Sequence, residues 1–179
     1  MFEKFKLNIG NKVFKKELIG NSRKRIAVNL DNAKSIGILF EATTDLHMKK
    51  IKPIVDYFFE LKKDVKAVGF VNSKKYLDCH IPRLQYDFFN RSDLNWHYKP
   101  QNDYIKNFIK KDYDILINLS DSSCVPLKYL VASSLARFKV GKYEEGFDIY
   151  DLMIKLDKKT DTTENLILEV IKYLNFINK

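Results

Sequence analysis

The chain is poor in cysteine, glycine and proline, and it has no long apolar run without charges. Its two cysteines, Cys79 and Cys124, are far apart, which is not the pattern of a secreted disulfide-bonded scaffold. No stretch approaches the roughly 18 uncharged residues of a membrane span, and charges from Glu3 onward argue against a signal peptide. No low-complexity tract indicates disorder. These absences predict a folded cytoplasmic protein with reduced thiols.

The motifs of common cofactor and metal sites are also missing. The sequence contains neither GxGxxG nor GxxxxGK[ST], the loops that hold nucleotide phosphates. Cys79 and His80 are adjacent, and His47, His97 and Cys124 have no zinc-ligand spacing. Cys124 precedes a predicted helix and could be a nucleophile, but no histidine stands out as its partner. The sequence therefore predicts no cofactor and no metal, and it favours a binding function over an enzymatic one.

Short apolar runs alternate with amphipathic segments along most of the 179 residues. This alternation is typical of βαβ units in a mostly parallel sheet. Strands are predicted at 36–40, 65–71, 84–89, 114–119, 138–141 and 149–156, and helices at 45–63, 103–111, 126–136 and 163–177. Thr44 or Asp45 would cap the first helix, and Ser122 or Ser123 the third, with Pro126 in its first turn. We expect a Rossmann-like α/β domain over residues 35–179, preceded by a basic amphipathic helix and an extended arm over residues 1–34.

Positive charge is concentrated at the N-terminus. The chain has a formal net charge of +9, and residues 1–25 hold eight basic and two acidic side chains, a net charge of +6. Apolar residues from Phe2 to Val13 recur with the spacing of one helical face. Such a segment predicts contact with a polyanion, either nucleic acid or an anionic membrane surface. The alternative is a general lysine bias, because only five of the 32 basic residues are arginine.

A second basic region is interleaved with aromatic residues. Between Arg83 and Lys99 lie Tyr86, Phe88, Phe89, Arg91, Trp96, His97 and Tyr98. Single-stranded RNA binds to such mixtures by stacking and phosphate contacts, whereas the alternative is that Phe88, Phe89 and Trp96 belong to the core. The residues predicted to contact RNA are Lys12, Lys15, Lys16, Arg23, Lys24, Arg25, Arg83, Arg91 and Trp96.

Two polar segments follow predicted strands, at residues 41–45 and 120–124. Ligands of parallel sheets bind beyond the carboxyl ends of the strands, and the free N–H groups of a following helix can hold an anion. The alternative is simple helix capping, because Ser, Thr and Asp are the residues that caps prefer. The candidate ligand residues are Asp45, Ser120, Asp121, Ser122 and Ser123.

Two long segments carry a resemblance to known proteins. IGILFEATTDLHMKKIKPIVDYF and DILINLSDSSCVPLKYLVASSLARFKVGKY resemble an uncharacterised family of small proteins of the Bacteroidota, which implies a fold but no activity. More remotely, residues 36–143 resemble the acceptor-side N-terminal domain of heptosyltransferase-like glycosyltransferases. Thr44-Asp45 stands at their Gly-Asp pair, which implies a catalytic-base role for Asp45, and residues 114–119 and 137–143 fit their later motifs. The glycine is missing, and the chain after Tyr143 is too short for the second Rossmann domain of that family.

These observations lead to one principal prediction and two alternatives. The principal one is a non-enzymatic RNA-binding protein, associated with the ribosome, that docks through its basic N-terminal segment. The first alternative is a glycosyltransferase-like or small-ligand-binding domain with a site around Asp45 and Ser120–Ser123. The second is an adaptor at the inner membrane that uses the helix predicted over residues 2–19.

Overall fold

The computed structural model describes residues 20–120, 124–145 and 148–177. The helix predicted over residues 2–19, with Lys12, Lys15 and Lys16, lies outside the described residues, as do Asp121, Ser122 and Ser123. The strands of the described part are β1 (Ser35–Glu41), β2 (Asp64–Val71), β3 (Tyr86–Asn90), β4 (Ile115–Asn118), β5 (Phe138–Lys142) and β6 (Leu152–Ile154). Its helices are α1 (Asp45–Glu60), α2 (Asp103–Lys110), α3 (Val125–Ser133) and α4 (Thr163–Phe176).

The six strands form one sheet in the order β3-β2-β1-β4-β5-β6, and every neighbouring pair is parallel. This is the doubly wound order of Rossmann-like domains, in which the direction of strand addition reverses between β1 and β4. The predicted fold class, a Rossmann-like α/β domain with a mostly parallel sheet, is confirmed.

The sheet is buried on both faces, which explains why its strands are apolar throughout. Along β1, Ile38 and Phe40 pack into one core and Leu39 into the other, because successive side chains of a strand point to opposite faces. α1 and α4 cover the first face, and α2 and α3 cover the second. α1, α2 and α4 each contribute an apolar stripe, such as Phe58 of α1, and keep the opposite side in solvent, whereas α3 is buried on all sides.

The helix ends follow the predicted capping at α1 but not at α3. The hydroxyl of Thr44 accepts a hydrogen bond from the backbone N–H of His47, and the His47 side chain accepts one in return from the backbone N–H of Thr44. The N-cap of α3 is Cys124, which makes no capping hydrogen bond through its side chain. The prediction that Ser122 or Ser123 occupies this N-cap is therefore wrong, because the helix begins immediately after Cys124. Pro126 occupies the first turn, as predicted.

The described part of the arm is bound to the edge of the sheet where the strands begin, which we call the amino edge. Asn21 Nδ2 donates to the carbonyl oxygens of Ala132 and Ser134, both at 2.7 Å. Further along, the backbone N–H of Ile26 donates to the carbonyl of Arg137 at 3.2 Å. The boundary between residues 34 and 35 stays a prediction. None of the helices in the described part of the chain is long and apolar enough to cross a bilayer.

Candidate functional site

A crevice opens at the opposite edge of the sheet, the carboxyl edge, next to the point where the strand order reverses. The chain leaves β1 toward one face of the sheet and β4 toward the other, which separates the two connections. A cavity of about 260 Å³ lies on the face covered by α1 and α4, and a smaller one of about 40 Å³ adjoins it. The polar side chains that line the two cavities include His47, Lys50, Ser120, Lys142, Asp161 and Thr163. We call this space the carboxyl-edge crevice.

Two lysines reach the crevice from different elements of the fold. Lys50 of α1 pairs with Glu164 of α4 at 3.1 Å, and Lys142 of β5 pairs with Asp161 at 2.6 Å. The lysine side chains are 27% and 22% exposed, whereas their carboxylate partners are 52% and 38% exposed. The cations therefore lie deeper than the anions, and ion pairs with such exposed partners contribute only about 0–1 kcal/mol. A ligand anion could replace either carboxylate at little cost.

The crevice lining matches Lys50 and Lys142 with the carboxylates of Glu41 and Asp161, and the starts of α1 and α4 add partial positive charge. An α-helix leaves the N–H groups of its first turn without intrahelical partners and carries a partial positive charge there. Thr162 caps α4 by accepting from the N–H of Asn165, and Thr44 caps α1 by accepting from the N–H of His47. Each cap satisfies one donor of its helix, and in α4 the backbone N–H of Glu164 also bonds its own carboxylate.

Ser120 is fixed in the crevice by a buried polar network. Asn118 Oδ1 accepts hydrogen bonds from the backbone N–H of Ser120 at 3.2 Å and from its hydroxyl at 2.8 Å. Asn118 Nδ2 donates to the Tyr150 hydroxyl oxygen at 2.7 Å. Burial raises the pKa of Tyr150, so its hydroxyl keeps its proton at neutral pH. A network in which every polar group is paired holds its members in one geometry.

The structure separates the residues of the predicted ligand site. Ser120 lines the crevice, whereas Asp45 is exposed in the first turn of α1 and does not line it. Burial, together with a hydrogen bond to Asp45, raises the pKa of the Cys79 thiol to about 11. Cys79 is therefore a protonated thiol at neutral pH.

The described residues of the predicted RNA-contact set fall into two groups. Lys24 and Arg25 lie on the arm beside β5, whereas Arg83, Arg91 and Trp96 lie around β3. Four strand spacings separate β3 from β5, which is roughly 19 Å. All five are exposed. The alternative that Trp96 belongs to the core is wrong, because its side chain is 60% exposed, but Phe88 and Phe89 are buried.

Arg23 has a structural role, which corrects its assignment to the RNA-contact set. Its side chain is 4% exposed and pairs with Asp151 at 2.8 Å. The same guanidinium donates to the carbonyl oxygens of Ala136 at 3.2 Å and Arg137 at 2.9 Å. Three of its five N–H donors are bonded to protein atoms and the side chain is nearly buried, so this guanidinium is not available as a surface contact for a phosphate.

Sequence reasoning missed Lys50, Lys142 and the start of α4 as parts of one site. Lys142 follows the predicted strand 138–141, and the helix starting at Thr163 was predicted. Each piece was therefore visible, but their convergence depends on the strand order, which has no local signal in the sequence. For metals, no three His, Cys, Asp or Glu side chains cluster in the part of the chain that the structure describes.

The fold and the crevice together define a class: a doubly wound parallel α/β domain with a small polar cavity beside its reversal point. Within that class, the chain belongs to a family of unknown function, DUF6913, whose model matches residues 6–177. The predicted membership in an uncharacterised family is confirmed. No curated protein and no solved structure matches the chain. The assignment to the Bacteroidota and the remote resemblance to heptosyltransferases stay predictions.

Proposed function

We propose that the carboxyl-edge crevice binds a small anionic ligand, one that carries a phosphate or carboxylate group. The observation that supports this proposal is the placement of Lys50 and Lys142, which line one cavity and are less exposed than the carboxylates that pair with them. A lysine held in a concave site beside a helix N-terminus is well placed to bind an anion. In a doubly wound sheet, ligands bind at this edge.

The size of the crevice and the sequence of its loops restrict the ligand. About 260 Å³ is below the range of roughly 300–1,000 Å³ that is typical of pockets for drug-sized molecules. The turn after β1, residues 41–45, contains no glycine that would let a pyrophosphate approach the backbone. A small anionic metabolite therefore fits better than a dinucleotide.

Glycosyl transfer is not part of this proposal. The resemblance to glycosyltransferases would make Asp45 the catalytic base, but Asp45 does not line the crevice and hydrogen-bonds Cys79. The proposal is binding through the two lysines. The Ser120 hydroxyl donates its one proton to Asn118, so it lines the crevice as an acceptor for a hydroxyl or protonated group of the ligand.

Calorimetric titration with inorganic phosphate, 3-phosphoglycerate and citrate tests the proposal. We expect at least one of these anions to bind the wild-type protein, and Lys50→Gln and Lys142→Gln each to weaken binding about tenfold, the effect of losing one charged hydrogen bond. The matched control is Lys172→Gln, because Lys172 forms an exposed ion pair with Glu169 on the same helix as Glu164 but does not line the crevice. Failure of all three anions to bind, or equal affinities in all three variants, contradicts the proposal.

A second proposal, RNA binding through the N-terminal segment, is supported by the distribution of charge. Residues 1–25 carry most of the net charge, and Lys24 and Arg25 are exposed at the arm. With Arg23 assigned to the fold, the segment's candidates are Lys12, Lys15, Lys16, Lys24 and Arg25. Contacts to phosphates release counterions, so binding should weaken steeply with salt. The ribosome is the partner that this proposal favours.

Sedimentation of cell lysate through a sucrose gradient tests the second proposal. We expect the protein in ribosomal fractions at low salt and in the top fractions at high salt. A variant with Lys12, Lys15 and Lys16 changed to Gln should stay at the top. The control changes three exposed lysines elsewhere, Lys49, Lys158 and Lys159, and should sediment like the wild type. A wild-type protein that stays in the top fractions at every salt concentration contradicts the proposal. If that protein then floats with vesicles of anionic lipid, the result supports the membrane alternative.

A further inference from the structure

The single tryptophan of the chain is displayed on the surface beyond the end of β3. Trp96 is 60% exposed and lies between Leu94 and Pro100, which form an isolated antiparallel bridge. Tryptophan is strongly enriched among the residues that dominate binding interfaces. We call the segment from Leu94 to Pro100 the Trp96 turn.

The Trp96 turn is organised by the side chain of Asn95. Asn95 Oδ1 accepts from the backbone N–H of His97 at 3.1 Å and from that of Lys99 at 2.9 Å, and the Asn95 N–H donates to the Lys99 carbonyl at 3.0 Å. Tyr98 has a φ of 68°, in the left-handed region that is unfavourable for an aromatic residue. The surrounding hydrogen bonds maintain this conformation, so the turn presents Trp96 in a defined position.

The ring next to Trp96 is also held in place. His97 contacts the indole edge-on, with ring centroids 4.9 Å apart and an interplanar angle of 83°. Burial, and then the charge of Lys99, lower the pKa of His97, so its ring is neutral at pH 7. Lys99 in turn lies 5.1 Å from the ring centroid of Tyr129 in α3, which anchors the turn to the helix layer. A rigid support reduces the entropy lost when the indole binds a partner.

The loop that borders the Trp96 turn is basic. The backbone N–H of Arg91 donates to the Ser73 carbonyl at 3.0 Å, and Asn90 Nδ2 donates to the Lys74 carbonyl at 3.2 Å. These bonds place exposed Lys74 and Lys75 beside exposed Arg91, and the same loop also carries the exposed carboxylate of Asp78.

The nearest carboxylate of the Trp96 turn is engaged inside the protein. Asp93 accepts hydrogen bonds from the backbone N–H of Asn90, from the hydroxyl of Tyr76 and from the side-chain amide of Asn102. Among the exposed charges of the loop and of Arg91, three are cations (Lys74, Lys75 and Arg91) and one is an anion (Asp78), which complements a phosphate backbone.

We propose that Trp96 is a stacking platform for a base of single-stranded RNA, and that Lys74, Lys75 and Arg91 bind the adjoining phosphates. The inference rests on the second proposed function and gives it a second contact surface, distinct from the N-terminal segment. A flat aromatic face flanked by cations is the arrangement by which proteins hold single strands without reading their sequence. The same loop also carries the half-exposed side chains of Tyr76 and Leu77, so a protein partner is the alternative outcome of the test, and the basic residues favour RNA.

The fluorescence of Trp96 tests the inference directly, because the chain has no other tryptophan. We expect a ten-nucleotide oligouridylate to quench the emission at low salt, with the effect reversed by added salt. Fluorescence anisotropy of labelled RNA should show affinity about tenfold weaker for Trp96→Ala and partly restored for Trp96→Phe, which keeps an aromatic face. The control is Phe176→Ala, which removes an exposed aromatic of α4 and should leave RNA affinity unchanged.

The two proposed RNA-binding surfaces, the N-terminal segment and the surface around Trp96, can be tested separately. If the Lys12, Lys15 and Lys16 variant loses binding while Trp96→Ala does not, and no quenching occurs, the inference about Trp96 is overturned and the N-terminal proposal stands. If quenching occurs and the N-terminal variant binds normally, Trp96 is supported and the N-terminal proposal falls. Absence of quenching in a wild-type protein that binds RNA overturns the stacking platform. Thermal unfolding of each variant verifies that it is folded.

Discussion

The two edges of the sheet use basic side chains in opposite ways. At the amino edge, Arg23 and Lys139 are buried and bonded to protein atoms, and Asp151 accompanies them. At the carboxyl edge, Lys50 and Lys142 line an open cavity and face carboxylates that are more exposed than they are. The comparison shows that a basic residue near the core indicates a ligand only where a cavity accompanies it.

Lys139 and Asn21 add to the ordinary hydrogen bond, from the Ser134 N–H to the Leu130 carbonyl, that ends α3. The last carbonyl groups of α3 have no intrahelical partners, and a glycine often solves this problem in other proteins. Here Lys139 Nζ donates to the Val131 carbonyl, and Asn21 donates to the carbonyls of Ala132 and Ser134. The described part of the arm is therefore bonded to the domain, although the basic sequence of the arm is typical of a segment that binds nucleic acid.

Removal of Arg23 should produce the largest effect. In Arg23→Ala the Asp151 carboxylate loses its buried cationic partner and the carbonyls of Ala136 and Arg137 each lose one donor, so we expect the free energy of unfolding to fall by about 3 kcal/mol. Urea denaturation measures the change. The control is Arg25→Ala, whose side chain is 64% exposed and 3.8 Å from the same aspartate, and which should change stability by less than about 1 kcal/mol. Equal effects of the two substitutions would show that burial does not distinguish them.

A methyl group at Gly141 should produce the next largest effect. A Cβ there would lie 2.5 Å from Cζ of the buried Tyr150 ring, which cannot move without disturbing Asn118 and Ser120. We expect Gly141→Ala to lower the free energy of unfolding by roughly 2 kcal/mol and also to weaken anion binding. Gly20→Ala is the control, because no atom lies within 4 Å of its added Cβ. If Gly141→Ala unfolds and binds like the wild type, Tyr150 does not fix Ser120.

The pH dependence of stability should reveal the buried amine at the amino edge. Burial, and then the charge of Arg23, lower the pKa of Lys139 to about 7. Between pH 7 and 8.5 the unfolded chain keeps a proton on this lysine that the folded protein has released, so stability should rise with pH by up to about 1 kcal/mol per unit. Urea denaturation across this range should show the rise in the wild type and a flatter profile in Lys139→Met.

The pH window excludes most other groups with altered pKa values, but not Cys79, whose pKa burial raises to about 11. The unfolded thiol loses its proton from about pH 8 upward, so Cys79 lowers stability slightly toward the upper end of the window in the wild type and in Lys139→Met alike. Burial raises the pKa of Tyr76 and Tyr86 to about 12, so neither phenol titrates below pH 9 in the folded or unfolded chain. His97 has a lowered pKa, so it affects the pH dependence of stability below pH 7. A slope of the same size in Lys139→Met would mean that another group carries the dependence.

Substitution of the crevice lysines should have the smallest effect on stability. Lys50 and Lys142 take part in half-exposed ion pairs, so Lys50→Gln and Lys142→Gln should each change the free energy of unfolding by less than about 1 kcal/mol. The same variants are expected to lose anion affinity, which Arg25→Ala should retain. Urea denaturation and calorimetry on one set of proteins measure both quantities. If either substitution lowers the free energy of unfolding by several kcal/mol, that lysine stabilises the fold as Arg23 does, which contradicts the account.

The sequence is sufficient to predict the fold class, because strand and helix patterns are local. The apolar run 36–40 and the Thr44 cap of α1 were both placed correctly from neighbouring residues. The strand predicted at 149–156 is only Leu152–Ile154, because Ile149 and Tyr150 pack into the core as an irregular segment. An apolar run has the same appearance in a buried loop and in a buried strand.

The candidate site was less predictable, since it depends on contacts between distant segments. Ser120 was identified because it follows a strand, but Lys50 and Thr163 meet only through the strand order. Arg23 was assigned to RNA because charge in a sequence carries no information on burial, and its partner Asp151 lies far along the chain. The exposed position of Trp96 likewise depends on the turn that Asn95 organises.

The central claim is that the carboxyl-edge crevice is an anion site, and backbone amide mapping by NMR during titration with inorganic phosphate tests it most directly. The account predicts saturable shift changes at His47, Ser120 and Thr163 that need about tenfold more phosphate in Lys50→Gln. Changes confined to the arm at residues 21–26, or changes that grow without saturation over exposed lysines, would contradict it.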